Sequence, residues 1–472
     1  MQQQSGALVM KFGGTSVGSP PAIRQVLEII TKTRPDWPQM VVVSSAIYGL
    51  TDALLESARQ AAAGNLEPFQ KTLAAIKERH ADLLAALVSN PDERQQVWAE
   101  LLTLINGYAN LVQAIAVLGE ATPRALDAVV GLGERLIVRV IAAGLQARRI
   151  PARAIDATGL IVSDSHFQAA VPLMPETFIK AQALLETVFQ AGEVAVVTGF
   201  IAANQQGIPT TLGRGGSDYS AAILAVALNA VEVWIWTDVD GVMSADPRLE
   251  PEARTISELS YREVAELAYF GAKVLHPRTI QPVVEAGITL RVLNTFHPHH
   301  KGTLISERML DPENGAVIKA VTAIRGVQLI TVAGRGMLGV PGVAARILGA
   351  VASTGATVPL ITEASSEQSL CFAIPSEAST AVLAALNESL AGEIERGNID
   401  CISASEDVVI VTAVCPQMRH KLGVAGKIFS ALGDSAINVL AIAHGSSDVS
   451  ISLVVSQADL QTTIKALHAL AS

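Results

Sequence analysis

Through the first 310 residues, short β-branched apolar runs alternate with stretches in which Leu and Ala recur every three or four positions. The runs Ala7–Phe12, Met40–Ser45, Val194–Phe200, Val231–Thr237 and Ile288–Leu293 lack a regular polar alternation. That is the pattern of strands covered on both faces. Helical spacing falls between them, as at Leu126–Leu145 and Tyr219–Leu228, and runs unbroken through Asn65–Gly119. Strand–helix alternation predicts an α/β three-layer sandwich with a mainly parallel sheet. The long helical stretch reads as an insertion on it.

The pattern changes at the polar stretches His297–Gly302 and Leu310–Gly315, and an internal repeat follows. Gly326–Ser369 aligns with Asp407–Ser450 at a constant offset of 81 residues, without a gap. Met337 falls on Met418, Gly342 on Gly423, Ile347 on Ile428, and Ser365–Ser366 on Ser446–Ser447. Each copy reads as a βαββαβ unit of the ferredoxin-like kind. By sequence order the chain divides into residues 1–310, 320–398 and 399–472.

Half of the 472 residues are apolar and 17% are charged, which excludes a disordered chain. Two long uncharged runs test for a membrane span. Leu101–Gly119 is broken by Asn106, Asn110 and Gln113, and Val194–Gly213 by Asn204, Gln205 and Gln206. Amide groups stranded in hydrocarbon are costly, so neither run is expected to span a bilayer. A net charge of −10 argues against nucleic acid. Cys371, Cys401 and Cys415 share no metal-ligand spacing, and Met1–Gly6 lacks the features of a secretory signal. The expectation is a cytoplasmic protein acting on small molecules.

Three glycine-bearing stretches carry candidate chemistry. Lys11-Phe12-Gly13-Gly14-Thr15-Ser16 leads from a strand toward a helix, and its glycines let backbone N–H groups approach an anion. A tight strand–helix turn explains it equally well. Leu212-Gly213-Arg214-Gly215-Gly216-Ser217-Asp218 precedes a helix that Ser217 or Asp218 could cap. Three glycines around an Arg ask for more, because Arg214 offers a bidentate fork to a carboxylate or phosphate. Trp236-Thr237-Asp238-Val239-Asp240-Gly241-Val242 closes a strand, where open α/β sheets bind ligands. Its acids could hold a ribose or a metal, or form Asx turns. Gly271 before Ala272-Lys273 reads as a helix cap. Gly334-Arg335-Gly336-Met337-Leu338-Gly339, with Glu363 downstream, imitates a dinucleotide fingerprint. The equivalent stretch Val414–Leu422 contains no glycine, which points to a loop of the repeated module instead.

The three stretches occur in order, followed by Phe270-Gly271-Ala272-Lys273-Val274-Leu275-His276-Pro277-Arg278-Thr279, and together they resemble the aspartate kinase (aspartokinase) family across essentially the whole chain. The resemblance implies an amino-acid-kinase fold followed by two ACT domains, the second typically inserted within the first. It implies MgATP-dependent phosphorylation of the L-aspartate β-carboxylate to 4-phospho-L-aspartate, the first step toward lysine, threonine and methionine. The catalytic residues implied are Lys11, Arg214 and Asp218. ATP would be held by Lys11, Gly13, Gly14, Ser16, Thr237, Asp238, Met243, Arg248, Lys273 and Val274. Aspartate would be held by Ser45, Thr51, Glu134, Arg214, Gly215, Gly216 and Ser217, with Glu134 near the ammonium. No separate metal-ligand set is assigned.

A feedback effector, lysine and/or threonine, would bind at Val340, Gly342, Val358, Thr362, Glu363, Asn438 and His444, and pairing of subunits through the ACT domains is expected. Three departures from the family pattern stand out. Met243 replaces a frequent Tyr, Leu293 a usual basic residue, and Glu363 and His444 the Gln of threonine-sensitive members. Acetylglutamate and glutamate kinases lack a paired tail of this type. A non-catalytic sensor would have no use for Lys11, Glu134, Arg214 and Asp218 together.

Overall fold

The computed structural model describes residues 6–271, 275, 277–307, 316–337, 342–363, 368–416, 418, 421–444 and 449–471. The chain forms two compact units. The first comprises Met1–Val242, Ser257–Tyr261 and Leu275–Arg308. The second comprises Met243–Ile256, Arg262–Val274 and Met309–Ser472. Part of the first 310 residues therefore belongs to the second unit, because Ala245, Leu249 and Ala253 pack into an apolar cluster with Ile318, Val411 and Leu453.

The elements up to residue 306 are β1 (Ala7–Phe12), α1 (Pro20–Thr33), β2 (Gln39–Ser44), α2 (Leu50–Ala62), α3 (Glu67–Leu87), α4 (Pro91–Leu118), α5 (Pro123–Val130), α6 (Leu132–Gln146), β3 (Ala152–Ile155), β4 (Val162–Ser163), α7 (Met174–Gln190), β5 (Val194–Thr198), β6 (Ile201–Asn204), β7 (Pro209–Thr211), α8 (Gly216–Ala227), β8 (Glu232–Thr237), β9 (Glu258–Ser260), α9 (Tyr261–Tyr269), α10 (Pro277–Glu285), β10 (Thr289–Asn294) and β11 (Thr303–Ser306). An eight-stranded sheet runs β3-β5-β2-β1-β8-β10-β11-β9. Every pairing in it is parallel except β10 with β11. β4, β6 and β7 form a small separate sheet. The stretch expected as one helix, Leu126–Leu145, divides at Gly131 into α5 and α6.

Strand alternation decides which side chains reach which layer. Leu8, Met10 and Phe12 enter a core shared with Ile23, Leu27 and Ile30 of α1 and Leu136 and Val140 of α6. Lys11 lies on the alternate face of β1, where α8 packs. Register aligns the strand ends: Phe12 pairs with Ser44 and Trp236, and Ser44 with Thr198. Four carboxyl ends thus meet along one sheet edge.

Helices α3 and α4 are the expected insertion. By length and composition α4 could cross a membrane. In the fold, its Leu101, Ile105, Tyr108, Val112 and Ile115 are buried in the core instead.

The second unit holds β12 (Ala320–Ala333), α11 (Val343–Ser353), β13 (Leu360–Glu363), β14 (Ser369–Pro375), α12 (Ser379–Ser389), α13 (Ala391–Glu395), β15 (Cys401–Val414), α14 (Val424–Asp434), β16 (Val439–Ala443), β17 (Ser450–Ser456) and α15 (Leu460–His468). The repeat is physical: α14 begins 81 residues after α11, β17 begins 81 after β14, and Gly342 and Gly423 cap their helices at φ 86° and 80°. The strands form one antiparallel sheet, β13-β14-β12-β15-β17-β16. It curls, so that Leu360 of β13 and Ala441 and Ala443 of β16 share a cluster with Leu329, Ile410 and Val454.

Pairing corrects the expected nesting. The first copy uses Val327–Ala333 of β12 and closes with the start of β15. The second copy begins later in β15, and its remaining strand is Ala320–Ile324, which pairs with Ile410–Val414. The first copy is therefore inserted in the second. The register shift between Ile324 and Val327, with Gly326 at φ 68°, lets one strand serve both.

Candidate active site

Lys11, on the face of β1 turned to α8, places its Nζ 2.6 Å from Asp218 Oδ1 in the first turn of that helix. The pair is largely buried, at 11% and 19% side-chain exposure, and beside it the chain turns at Gly13 and Gly14. Gly13 N–H donates to Trp236 O at the end of β8, and Ser16 N–H closes the turn onto Gly13 O. A Cβ at Gly14 would lie 2.8 Å from Ala46 O and 3.0 Å from Tyr48 N, so this glycine is demanded by packing. The Ser16 hydroxyl is buried and bonds to Thr295 Oγ1 at 2.7 Å, tying the loop to the end of β10.

The loop after β2 lies against the same turn. Ser45 N–H donates to Phe12 O and Tyr48 N–H to Gly14 O. Ala46 N–H donates to Glu134 Oε1 at 3.1 Å. Glu134 is buried, and its Oε2 has no hydrogen-bond partner among the described residues. Burial pushes its carboxyl up to about 7, against the pull of the Ala46 hydrogen bond. A buried, half-satisfied carboxylate is a receptor for a donor or a cation. Thr51 is the second residue of α2, close in sequence to this loop.

Before α8 the backbone turns left-handed at Gly213 and Gly215, with φ of 77° and 68°. This leaves Arg214 exposed at the tip and Gly216 and Ser217 buried at the helix start. Among the described residues no side chain caps α8, so neither Ser217 nor Asp218 plays the capping role that composition allowed. Free N–H groups at a helix N-terminus favour an anion.

The third stretch divides. Thr237 donates to Asp238 at 3.2 Å, and Asp238 is exposed. Asp240 accepts from Asn294 Nδ2 at 2.7 Å and lies 3.0 Å from His297 Nδ1, which makes it a loop anchor. Met243 and Arg248 belong to the second unit. There the exposed Arg248 is paired twice with Asp246, at 3.0 and 2.7 Å. Lys273, Val274 and Val340 lie outside the described residues. Of the effector candidates, Thr362 and Glu363 are on β13, Val358 precedes it, Gly342 caps α11, and Asn438 and His444 flank β16. Glu363 and Asn438 are exposed, and His444 Nδ1 lies 3.2 Å from Ser450 O.

Two supporting residues were not singled out from sequence. Asp127, buried on α5, accepts from Gln168 N, Thr211 N and Thr211 Oγ1 at 2.9 to 3.0 Å. Burial raises its carboxyl above the usual range while these bonds pull it back. It fixes β7 just before the Arg214 turn. Gly199 is the other, since a Cβ there would lie 2.6 Å from Ser217 Oγ. Its position at the end of an apolar run was the available signal.

Residues 6–294 match the family model "Amino acid kinase family", and residues 330–390 and 411–470 match "ACT domain". Bifunctional aspartokinase/homoserine dehydrogenase 1, chloroplastic, of Arabidopsis thaliana is 36% identical over 98% of this chain and 50% of its own length. The chain thus spans about half the length of such bifunctional relatives. Aspartokinase 1, chloroplastic, of the same plant is 31% identical over 98% of this chain and 79% of its own. E. coli aspartokinase III with aspartate and ADP superposes with a TM-score of 0.79 at 29% identity, over 98% of this chain and 99% of that one. The same enzyme with lysine and aspartate gives 0.76 at 30%, with the same coverage.

Proposed function

The chain belongs to the amino acid kinase family and within it to the aspartokinases, and on that premise we propose that it transfers the γ-phosphoryl group of ATP to the β-carboxylate of L-aspartate. The products are 4-phospho-L-aspartate and ADP. The observation that carries this reading is the buried Glu134 carboxylate, one oxygen unpartnered, behind the loop that abuts the Gly13-Gly14 turn and the Lys11–Asp218 pair. A substrate ammonium would satisfy Glu134. Arg214 would take a carboxylate of the same molecule.

An aspartate carboxylate has an ordinary pKa near 3.9, so the nucleophile is ionised at neutral pH and needs no general base. Catalysis then rests on placement and on charge neutralisation. Lys11 would neutralise charge on the transferred group, and Asp218 would hold the ammonium in position. The backbone N–H of Gly14 and those at the start of α8 fit phosphate oxygens, with Gly13 letting the chain approach them, and Thr237 and Asp238 fit the rest of the nucleotide. Magnesium carried on the phosphates would add positive charge there, with Asp218 as an oxygen donor. The ACT pair would bind lysine, alone or with threonine, as a feedback effector, and would join subunits.

ADP release measured with aspartate, glutamate and N-acetylglutamate in turn tests the reading. Aspartate alone is expected to support turnover. Equal rates with glutamate would replace aspartate as the substrate.

A further inference from the structure

Among the described residues, five that are not glycine adopt a left-handed backbone: Arg149, Gln168, Phe200, Asn229 and Ala436. Arg149, Asn229 and Ala436 closely follow the ends of α6, α8 and α14, where such a residue is usual. Gln168, at φ 70°, and Phe200, at φ 68°, follow no helix, and both flank the turn that carries Arg214. A Cβ at Gly213 would lie 3.1 Å from Gln168 O, and one at Gly216 would lie 3.2 Å from Phe200 Cα. Leu212 N–H donates to Phe200 O at 2.9 Å, and Ala170 N–H to Thr211 O at 2.9 Å. Around Phe200 the chain closes tightly, with Ile201 N–H 2.7 Å from Gly199 O, a three-residue turn that is rare with a positive central φ. The Arg214 turn is thus gripped between two segments whose own backbones are strained.

Such conformations persist only where the surroundings hold them. At each of the two, a buried side chain takes the backbone N–H. Ser220 Oγ accepts from Phe200 N–H at 2.9 Å. Asp127 Oδ2 accepts from Gln168 N–H at 2.9 Å and from Thr211 N–H at 3.0 Å, while Oδ1 accepts from Thr211 Oγ1 at 2.9 Å. One carboxylate oxygen therefore joins strained Gln168 to the strand that leads into the Arg214 turn. The Gln168 side chain is exposed, so the hold is on its backbone. We propose that Asp127 is a positioning residue for the aspartate substrate: it locks Gln168 and β7 so that Gly213–Gly216 presents Arg214 in one orientation before the substrate binds. This rests on the kinase reading, which puts a substrate carboxylate on Arg214. A guanidinium fixed in advance loses less freedom on binding, so the benefit falls on aspartate affinity. ATP, which does not use Arg214 in that reading, gains nothing from it.

Steady-state kinetics of the whole chain, with hydrogen–deuterium exchange of its substrate-free form, test the proposal. Asp127→Ala is expected to raise KM for aspartate about tenfold and to leave KM for ATP within about twofold. Asp127→Asn should stay within about threefold of the parent, because its amide oxygen accepts both backbone N–H groups while its NH2 donates to Thr211 Oγ1. Gln168→Gly added to Asp127→Ala should recover most of the lost affinity, since glycine takes a positive φ without being held there. Amides of residues 211–216 should exchange about tenfold faster in Asp127→Ala. If Asp127→Ala does not fold, Gln168→Pro decides: proline excludes φ 70° at an exposed loop position and should raise KM for aspartate alone. An equal rise for both substrates, no recovery with Gln168→Gly, or unchanged exchange would each overturn the proposal. A parent chain that releases no ADP with aspartate would overturn the kinase reading instead, and the exchange comparison would still judge the hold of Asp127 on the turn.

Discussion

Lys11 and Asp218 form a 2.6 Å ion pair between the last turn-facing position of β1 and the first turn of α8, two elements distant in sequence. β1 is central in the sheet and α8 packs on it, so the ammonium is held by the scaffold and not by a loop. A charge fixed before substrate arrives needs no reorganisation during transfer.

Lys11→Ala is expected to lower kcat about a hundredfold or more, since the transferred group loses its fixed cation. Secondary structure should persist, because the loop glycines and the β1 ladder are untouched. Steady-state kinetics with far-UV circular dichroism checks both. Retention of most of the turnover would remove Lys11 from the phosphates.

Arg214 stands exposed on a left-handed turn, free of the Lys11 pair. Arg214→Ala should raise KM for aspartate about tenfold or more and leave KM for ATP within about twofold. Equal effects on both substrates would move Arg214 to the nucleotide.

Glu134 gives a pH signature. Its carboxyl is raised to about 7, so it is neutral below that pH and cannot pair with the substrate ammonium. KM for aspartate is therefore expected to climb as pH falls from about 8 to about 6, approaching tenfold per unit at the acid end. Glu134→Gln should give a high, flat profile. The stability sign is opposite to that of an ordinary carboxylate. The folded state binds this proton more tightly than the unfolded one, so stability falls as pH rises from 4.5 through about 7. Denaturant titrations of Glu134→Gln should lack that component.

Glu363 is exposed at the end of β13, at the position where the family resemblance implies Gln in threonine-sensitive members. A carboxylate favours a cationic ligand, so lysine is expected to inhibit at least as well as threonine. Glu363→Gln should raise the half-inhibitory lysine concentration about tenfold. Inhibition curves at saturating substrates measure this. Threonine inhibition without any lysine response would sink the charge argument.

The central strands were legible because burial on both faces writes itself as an unbroken apolar run; β1 matches its expected bounds residue for residue. The short strands β3, β4, β6, β7, β9 and β11 were not, since two to four residues carry no period to read. Lys11, Arg214 and Asp218 stood out through the glycines around them. Asp127 did not, and Asp240 was read as a possible ribose or metal ligand and not as a loop anchor, because the groups they anchor, Thr211 and Asn294, are remote in sequence and nothing in either segment advertises the pairing. The repeat was visible as a fixed offset, but the nesting was hidden. Ala320–Ile324 and Val327–Ala333 form one continuous apolar strand, and its change of function at Gly326 appears only in the register.

That shared strand has a consequence for how the protein is made. Residues 320–324 emerge from the ribosome well before residues 410–414, their partners. During synthesis the first repeat can close on itself once the start of β15 is out, while the second must wait for β16, β17 and α15 as well and then recruit a strand already in use. The second module is thus the last to be completed, through a pairing that spans the entire first module. Such long-range closures are slow relative to local ones. A nascent chain interrupted after the first repeat would carry Ala320–Ile324 as an unpaired apolar edge, a natural recognition point for chaperones or for misassembly with a neighbouring chain.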